Sequence, residues 1–288
     1  MIAKNKKDKK DKKDKKDKKD KKDILLSCTQ QKDIIIYGDN WPVTCAVKNM
    51  AEKIQPSNRF HSCHSVPALA HLLQYTSDVR FIFCLRPREH IFLFHLFSSI
   101  LSGTPLLVIT DTLLPTDRVA LGTFCVKPLI VYYDDIHSLF TFRHKFSHEK
   151  LQQDNPLFSS LTALTRQEPK ASVSCLPLVF QNGSDLISFM NIQLDQYFYQ
   201  VGITRLQIQL LKKMLTESTL KELATALDIN IKTVTYNKGI LFKKLGVKGG
   251  YFMAIYGAKF YLKLQKTPFI KAPNIENISE EILITNDQ

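Results

Sequence analysis

Two kinds of pattern are missing from this sequence, and each absence removes a class of protein. Its six cysteines, at 28, 45, 63, 84, 125 and 175, never form a Cys-x-x-Cys pair. That argues against a zinc ribbon or a dithiol redox motif, and most of the cysteines sit in apolar runs as reduced core residues do. No apolar run is long enough to cross a membrane. The most apolar stretch, 81–110, is interrupted by Arg86-Pro87-Arg88-Glu89-His90, which reads as a surface loop, whereas a span needs about 18 uninterrupted apolar residues. The lysine-rich N-terminus never becomes apolar, so no signal peptide is expected and the expected location is cytoplasmic. No arrangement of nucleophile, base and acid marks an enzyme, and the expectation is a protein without catalytic residues or cofactors. His61-x-Cys63-His64 is a weak metal pattern without an evident fourth ligand, and no metal site is expected.

What is present is charge, unevenly placed. The net charge is +13 over 288 residues. Residues 1–23 hold 13 Lys and 6 Asp, net +7, mostly as Lys-Lys-Asp repeats. Residues 24–200 hold 14 basic and 14 acidic residues, net 0. Residues 201–266 hold 12 basic and 3 acidic residues, net +9, and residues 267–288 return to net −3. A small domain this basic suits a polyanionic partner, because each lysine set on a phosphate releases counterions. A merely soluble surface would show the same charge. The repeat tail has nothing apolar to bury and is expected to be disordered.

Between the basic ends, strand and helix patterns alternate. Short apolar runs at 34–37, 60–62, 79–85, 106–110 and 129–133 read as strands. Helical spacing at 43–54, from Pro67 on, at 91–101, 117–123 and 136–146 separates or follows them. Alternation of this kind gives a parallel sheet covered on both faces. The expected layout is a disordered tail at 1–23, an α/β domain at 30–146 and a linker at 147–200, in which 192–199 reads as a short helix leading into the next domain. An all-α domain at 201–264 and a flexible tail at 265–288 complete it.

The segment 203–247 carries the clearest signal. A helix with Leu206, Leu210, Leu211 and Met214 is followed by the capping box Thr219-x-x-Glu222 and a second helix. Asp228-Ile229 makes a turn, Asn230 caps a third helix from Ile231 to Leu245, and Gly246 stops it. Two helices joined by a tight turn, the second basic, make a helix-turn-helix. On the third helix Ile231, Val234, Leu241 and Leu245 form an apolar seam. Lys232, Thr235, Tyr236, Gly239 and Lys243 form a second stripe, flanked by Lys238 and Lys244. A fourth helix, 250–264, would carry Phe252, Tyr256 and Phe260 as an aromatic stripe suited to a partner or to its own domain.

This segment resembles the DNA-binding domain of the LuxR/GerE superfamily. The resemblance rests on Thr204, Leu210-Leu211, Lys221-Glu222-Leu223-Ala224, Leu227, Ile229, Lys232-Thr233-Val234 and Lys243-Lys244-Leu245-Gly246-Val247. It implies that Lys221, Lys232, Thr233, Lys243 and Lys244 meet the backbone of double-stranded DNA. It implies also that Thr235, Tyr236 and Gly239 face the bases. Gln209, Glu217, Asp228 and Asn237 depart from the family's usual residues. The α/β domain resembles the flavodoxin-like receiver of NarL/FixJ-class response regulators. Against that pattern only Asp39 stands where an acidic pair is usual, and the strand 79–85 ends in Leu85-Arg86-Pro87 with no phosphate-accepting aspartate. Thr110 matches the receiver's switch threonine, while Lys127-Pro128 precedes its strand instead of following it. The implied function is phosphorylation-independent transcription regulation, by a homodimer or by a heterodimer with another LuxR-type regulator. A LuxR-type regulator with a ligand-binding sensor domain, or a protein that titrates another regulator, are the alternatives.

Overall fold

The computed structural model describes residues 31–136, 155–169, 180–246 and 255–270, apart from Ser77, Ser102, Cys125, Glu217 and Ser218. The repeat tail and the expected helix segment 137–146, with the histidines at 137, 144 and 148, lie outside these residues, as does Phe252.

Strands β1 (Asp33–Gly38), β2 (Arg59–Cys63), β3 (Val79–Cys84), β4 (Leu106–Thr110) and β5 (Leu129–Tyr132) form one parallel sheet. Their order is β2-β1-β3-β4-β5. That is the flavodoxin-like, doubly wound order of the receiver fold, in which the chain reverses direction between β1 and β3. Alternate residues of each strand serve opposite faces. Ile34, Ile36, Ile82, Cys84, Leu107 and Ile109 face one layer; Ile35, Tyr37, Phe81, Phe83 and Val108 face the other. Helix α1 (Trp41–Ile54) brings Val47 and Ala51 to the first face. A later helix, α6 (Pro156–Arg166), brings Leu157, Leu161 and Leu164 to it as well. The second face takes α2 (Val66–Tyr75), α3 (Ile91–Leu96), the short α4 (Ser98–Leu101) and α5 (Pro115–Leu121).

Three expectations change here. The expected linker holds Pro156–Arg166, which completes the α/β layer because Asn155 caps it and its three leucines recur at helical spacing. The expected short helix at 192–199 is the last half of an 18-residue helix, α7 (Gly183–Gln200), started by an Asn182 side chain that accepts from the Asp185 amide. Leu186, Ile187, Met190, Leu194 and Phe198 of α7 are buried and continue the core of the α/β domain. Finally Arg86–His90 is not a surface loop. Arg88, Glu89 and His90 are at most 4% exposed. Arg88 Nη1 meets Asp117 Oδ2 at 2.7 Å, and Asp117 also accepts the Arg88 and Leu114 amides. A buried charge survives only when paired and hydrogen-bonded in this way.

Helices α8 (Arg205–Lys213), α9 (Leu220–Leu227) and α10 (Ile231–Leu245) follow. Leu210, Met214, Leu223, Ala224 and Val234 form their own small core. Ile208, Leu211, Leu241 and Leu245 join the core shared with α7 and the α/β domain. The expected fourth helix does not reach 264. Tyr256 is helical, the chain turns at Gly257, and only a 3-10 turn at Leu262–Leu264 follows.

Candidate nucleic-acid interface

The α9–α10 unit is built by its ends. Thr219 accepts the Glu222 amide and Glu222 accepts the Thr219 amide, the capping box read from the sequence. Helix α9 ends at Asp228, whose φ of 52° places it in the left-handed region. This single reversal turns the chain into the Asn230 cap of α10, whose side chain accepts the Lys232 amide. Gly246, at φ 64°, ends α10. The result is a helix-turn-helix, in which the second helix has one packed face and one open face.

Val234, Leu241 and Leu245 are buried on the packed face. Ile231 falls on that seam in the sequence pattern but is 45% exposed, as the first residue of α10. On the open face Lys232, Thr235, Tyr236, Gly239 and Lys243 are all exposed, with Tyr236 at 69%. Thr233 and Lys221 are exposed as well. Nothing lies within 4 Å of a Cβ placed on Gly239, so this glycine leaves a gap in the middle of the stripe. A helix with one packed face and one open face has the shape that a major groove admits.

The two flanking lysines differ. Lys238 is half-buried, with its ammonium 5.6 Å from the centre of the Phe242 ring. Lys244 turns back to donate to the Gly202 carbonyl at 2.6 Å and to Gln207 Oε1 at 3.3 Å. It therefore secures α10 to the start of α8 and must leave those bonds to reach a phosphate. Gln207 is the residue the sequence reading missed. It is buried, closes a second capping box with Thr204, and donates to Asn237 on α10. The signal was present: Thr204-x-x-Gln207 has the same form as Thr219-x-x-Glu222.

The second place where polar groups gather is the carboxyl edge of the sheet. A cavity of about 430 Å³ there is lined by Asp39, Asn40, Val43, Leu85, Arg86, Asp111, Tyr133 and Lys266. This is the switch-point crevice in which open α/β sheets commonly bind ligands. Here it is occupied by internal ion pairs. Arg86 donates to Asp111 at 3.0 and 2.7 Å, and Lys266 pairs with Asp39. The His90 ring, 3.5 Å from Asp39, together with the Lys266 ammonium, holds the Asp39 carboxyl well below the usual carboxylate range. β3 ends at buried Cys84, with buried Leu85 after it, and burial pushes the Cys84 thiol far up. Thr110 is fully buried, and its hydroxyl donates to Asp111 at 3.4 Å. Lys127 is exposed ahead of β5, away from the cavity lining. His61 pairs with Asp33 and His64 with the Gly38 carbonyl, at opposite ends of β1. Among the described residues no three His, Cys, Asp or Glu side chains are placed to share a metal ion, and no helix is long and apolar enough to cross a membrane.

No protein-family model matches this chain, and no curated protein matches it in sequence. The chain is similar to several solved structures. One contains two RcsB dimers bound to two parallel DNAs, with 13% identity, 79% of this chain and 97% of that chain covered, and a TM-score of 0.48. Another is RcsB from Salmonella enterica serovar Typhimurium bound to promoter rprA in the presence of phosphomimetic BeF3−, with 13% identity, 79% and 98% covered, and a TM-score of 0.45. Full-length FixJ from B. japonicum has 12% identity, 80% and 96% covered, and a TM-score of 0.26.

Proposed function

We propose that the chain is a sequence-specific DNA-binding transcription regulator that uses α10 as its recognition helix, and that it is not an enzyme. The observation that carries this reading is the open stripe Lys232, Thr235, Tyr236, Gly239 and Lys243. It stands on the second helix of a helix-turn-helix, within a segment of net charge +9. The LuxR/GerE-like residue pattern supports it. The α/β domain acts without phosphorylation, since β3 offers no carboxylate and both acids that line the crevice, Asp39 and Asp111, are engaged by cations. One helix-turn-helix covers few base pairs, so the working form is a dimer that spans two half-sites. The aromatic pair Tyr256 and Phe260 does not serve that dimer. Tyr256 bonds Glu89, and Phe260 is buried on α7.

Selection from a random DNA library, followed by anisotropy titration over a range of salt, tests the reading. Lys232→Ala should weaken binding to every sequence and reduce the salt slope by about one. Tyr236→Ala should alter base preference at one position of each half-site. If both variants bind as wild type, α10 is not the recognition helix. Acetyl phosphate with magnesium should leave the intact mass unchanged. A hydroxylamine-labile phosphoryl adduct would show that the α/β domain is chemically active after all.

A further inference from the structure

Residues 255–270 begin at the small core of the helix-turn-helix, against which Ile255 packs, and reach the carboxyl edge of the sheet. Their contacts there are dense and of several kinds. Tyr256 donates its hydroxyl to Glu89 at 3.0 Å, and its ring lies 4.4 Å from the Arg88 guanidinium carbon. Gly257 passes so close to the start of α5 that an added Cβ would stand 2.8 Å from Leu114 Cβ and 3.0 Å from Pro115. Phe260 exchanges two backbone hydrogen bonds with the Asn191 side chain of α7. Gln265 accepts the Ile91 amide, which the His90 side chain leaves uncapped, and donates to the Arg88 carbonyl. The Lys266 amide donates to the Glu89 carbonyl, while its ammonium reaches Asp39 and, at 3.0 Å, Glu89. Beyond it Thr267 is buried, and the Phe269 ring stacks on His95 and meets Phe92 edge-on.

We propose that residues 255–270 form a built-in strap that fastens the helix-turn-helix to the α/β domain, with Lys266 as the internal cation that locks it into the carboxylates of Asp39 and Glu89. The strap fixes the orientation of α10 and leaves its stripe facing outward. Three kinds of contact act together: a backbone path that tolerates no side chain at Gly257, a glutamine that caps α3, and an ion pair at the crevice. Interfaces between domains of one chain are ordinarily small and mobile. Here the strap and α7 extend a single core across the junction. Anything that enters the crevice between Asp39 and Lys266 must break the lock, so the crevice and the orientation of α10 are linked. This holds whether or not α10 binds DNA.

Hydrogen exchange read by mass spectrometry on the full chain tests the strap without any DNA. In wild type, peptides over 255–270 should exchange at least tenfold more slowly than an unstructured chain. Lys266→Glu and, independently, Gly257→Val should remove that protection while peptides over β1 and β3 stay protected. Lys266→Arg should keep it. Wild type in 1 M salt supplies a measurement that needs no variant, and exchange of 255–270 should rise selectively. Unprotected 255–270 in wild type would overturn the proposal. So would protection that survives both Lys266→Glu and Gly257→Val.

Discussion

Asp228 joins the two helices of the helix-turn-helix at a cost. An L-residue in the left-handed region is strained by its Cβ, and aspartate tolerates it better than most residues but less well than glycine. Asp228 is exposed, and its side chain has no role among the hydrogen bonds of the turn. Asp228→Gly should therefore raise stability by up to about 1 kcal/mol, seen as a higher urea midpoint with an unchanged slope. A lower midpoint would mean that the carboxylate holds the turn in a way its geometry does not suggest. Gly239 is the converse case. It sits in mid-helix with open space around it, so its lack of a side chain follows from no packing demand. The gap it leaves in the stripe points instead to what the helix must approach.

At the scale of elements, β1, β3, β4 and β5 were legible because a buried parallel strand is a short, nearly continuous apolar run. The helix-turn-helix was legible because its caps are local: Thr219, Glu222, Asn230 and Gly246 act within a few residues of themselves. The elements read wrongly are those whose partners lie far away in sequence. Arg86–His90 looks like a polar loop until Asp117, Tyr256, Gln265 and Lys266 are placed around it. The pattern at 250–264 looks like one helix until Phe260 is claimed by Asn191, 69 residues earlier. Of the nine candidate interface residues, Lys221, Lys232, Thr233, Thr235, Tyr236, Gly239 and Lys243 are open to solvent without a fixed tie to another helix. Lys244 is drawn inward by Gln207 and Gly202, and Lys238 lies along Phe242. That network gives a prediction at this scale. Gln207→Ala removes a capping box and leaves Asn237 and Lys244 short of a partner, and should cost about 1–3 kcal/mol in thermal or urea unfolding. Gln207→Glu keeps the acceptor for Thr204 and Lys244 and should cost less. Equal losses from the two variants would show that the packing of the side chain, and not its hydrogen bonds, holds α10.

The whole molecule adds a dependence on pH that no single element shows. Asp39 belongs to the α/β domain and Lys266 to the strap, so their pair joins distant parts of the chain. Facing Asp39 are the His90 ring and the Lys266 ammonium, with Glu89 on the far side of Lys266. The folded state lowers the Asp39 carboxyl below its ordinary value. Burial would raise Glu89, but hydrogen bonds from Lys266 and Tyr256 hold it low as well. A depressed carboxyl stabilises the folded state fully above its unfolded pKa, near 4, and that contribution is lost as pH falls through the folded value. The strap should therefore hold from neutral pH down to about 4 and loosen below it. Lys266 is half exposed, so salt should weaken the same contact. The sheet core rests far less on such pairs: β1, β3 and β4 bury mainly aliphatic and aromatic side chains, with Arg80 of β3, paired to Asp78 and Glu168, as the exception. Acid should thus release the strap before it unfolds the sheet. Tryptophan fluorescence offers a direct reading, because the single tryptophan, Trp41, stands two residues from Asp39 at the start of α1. Its emission should shift below pH 4 at a point where far-ultraviolet circular dichroism is still native, and Lys266→Met should abolish that separate step. One coincident transition in wild type and variant alike would mean that the ion pair contributes nothing to holding the strap.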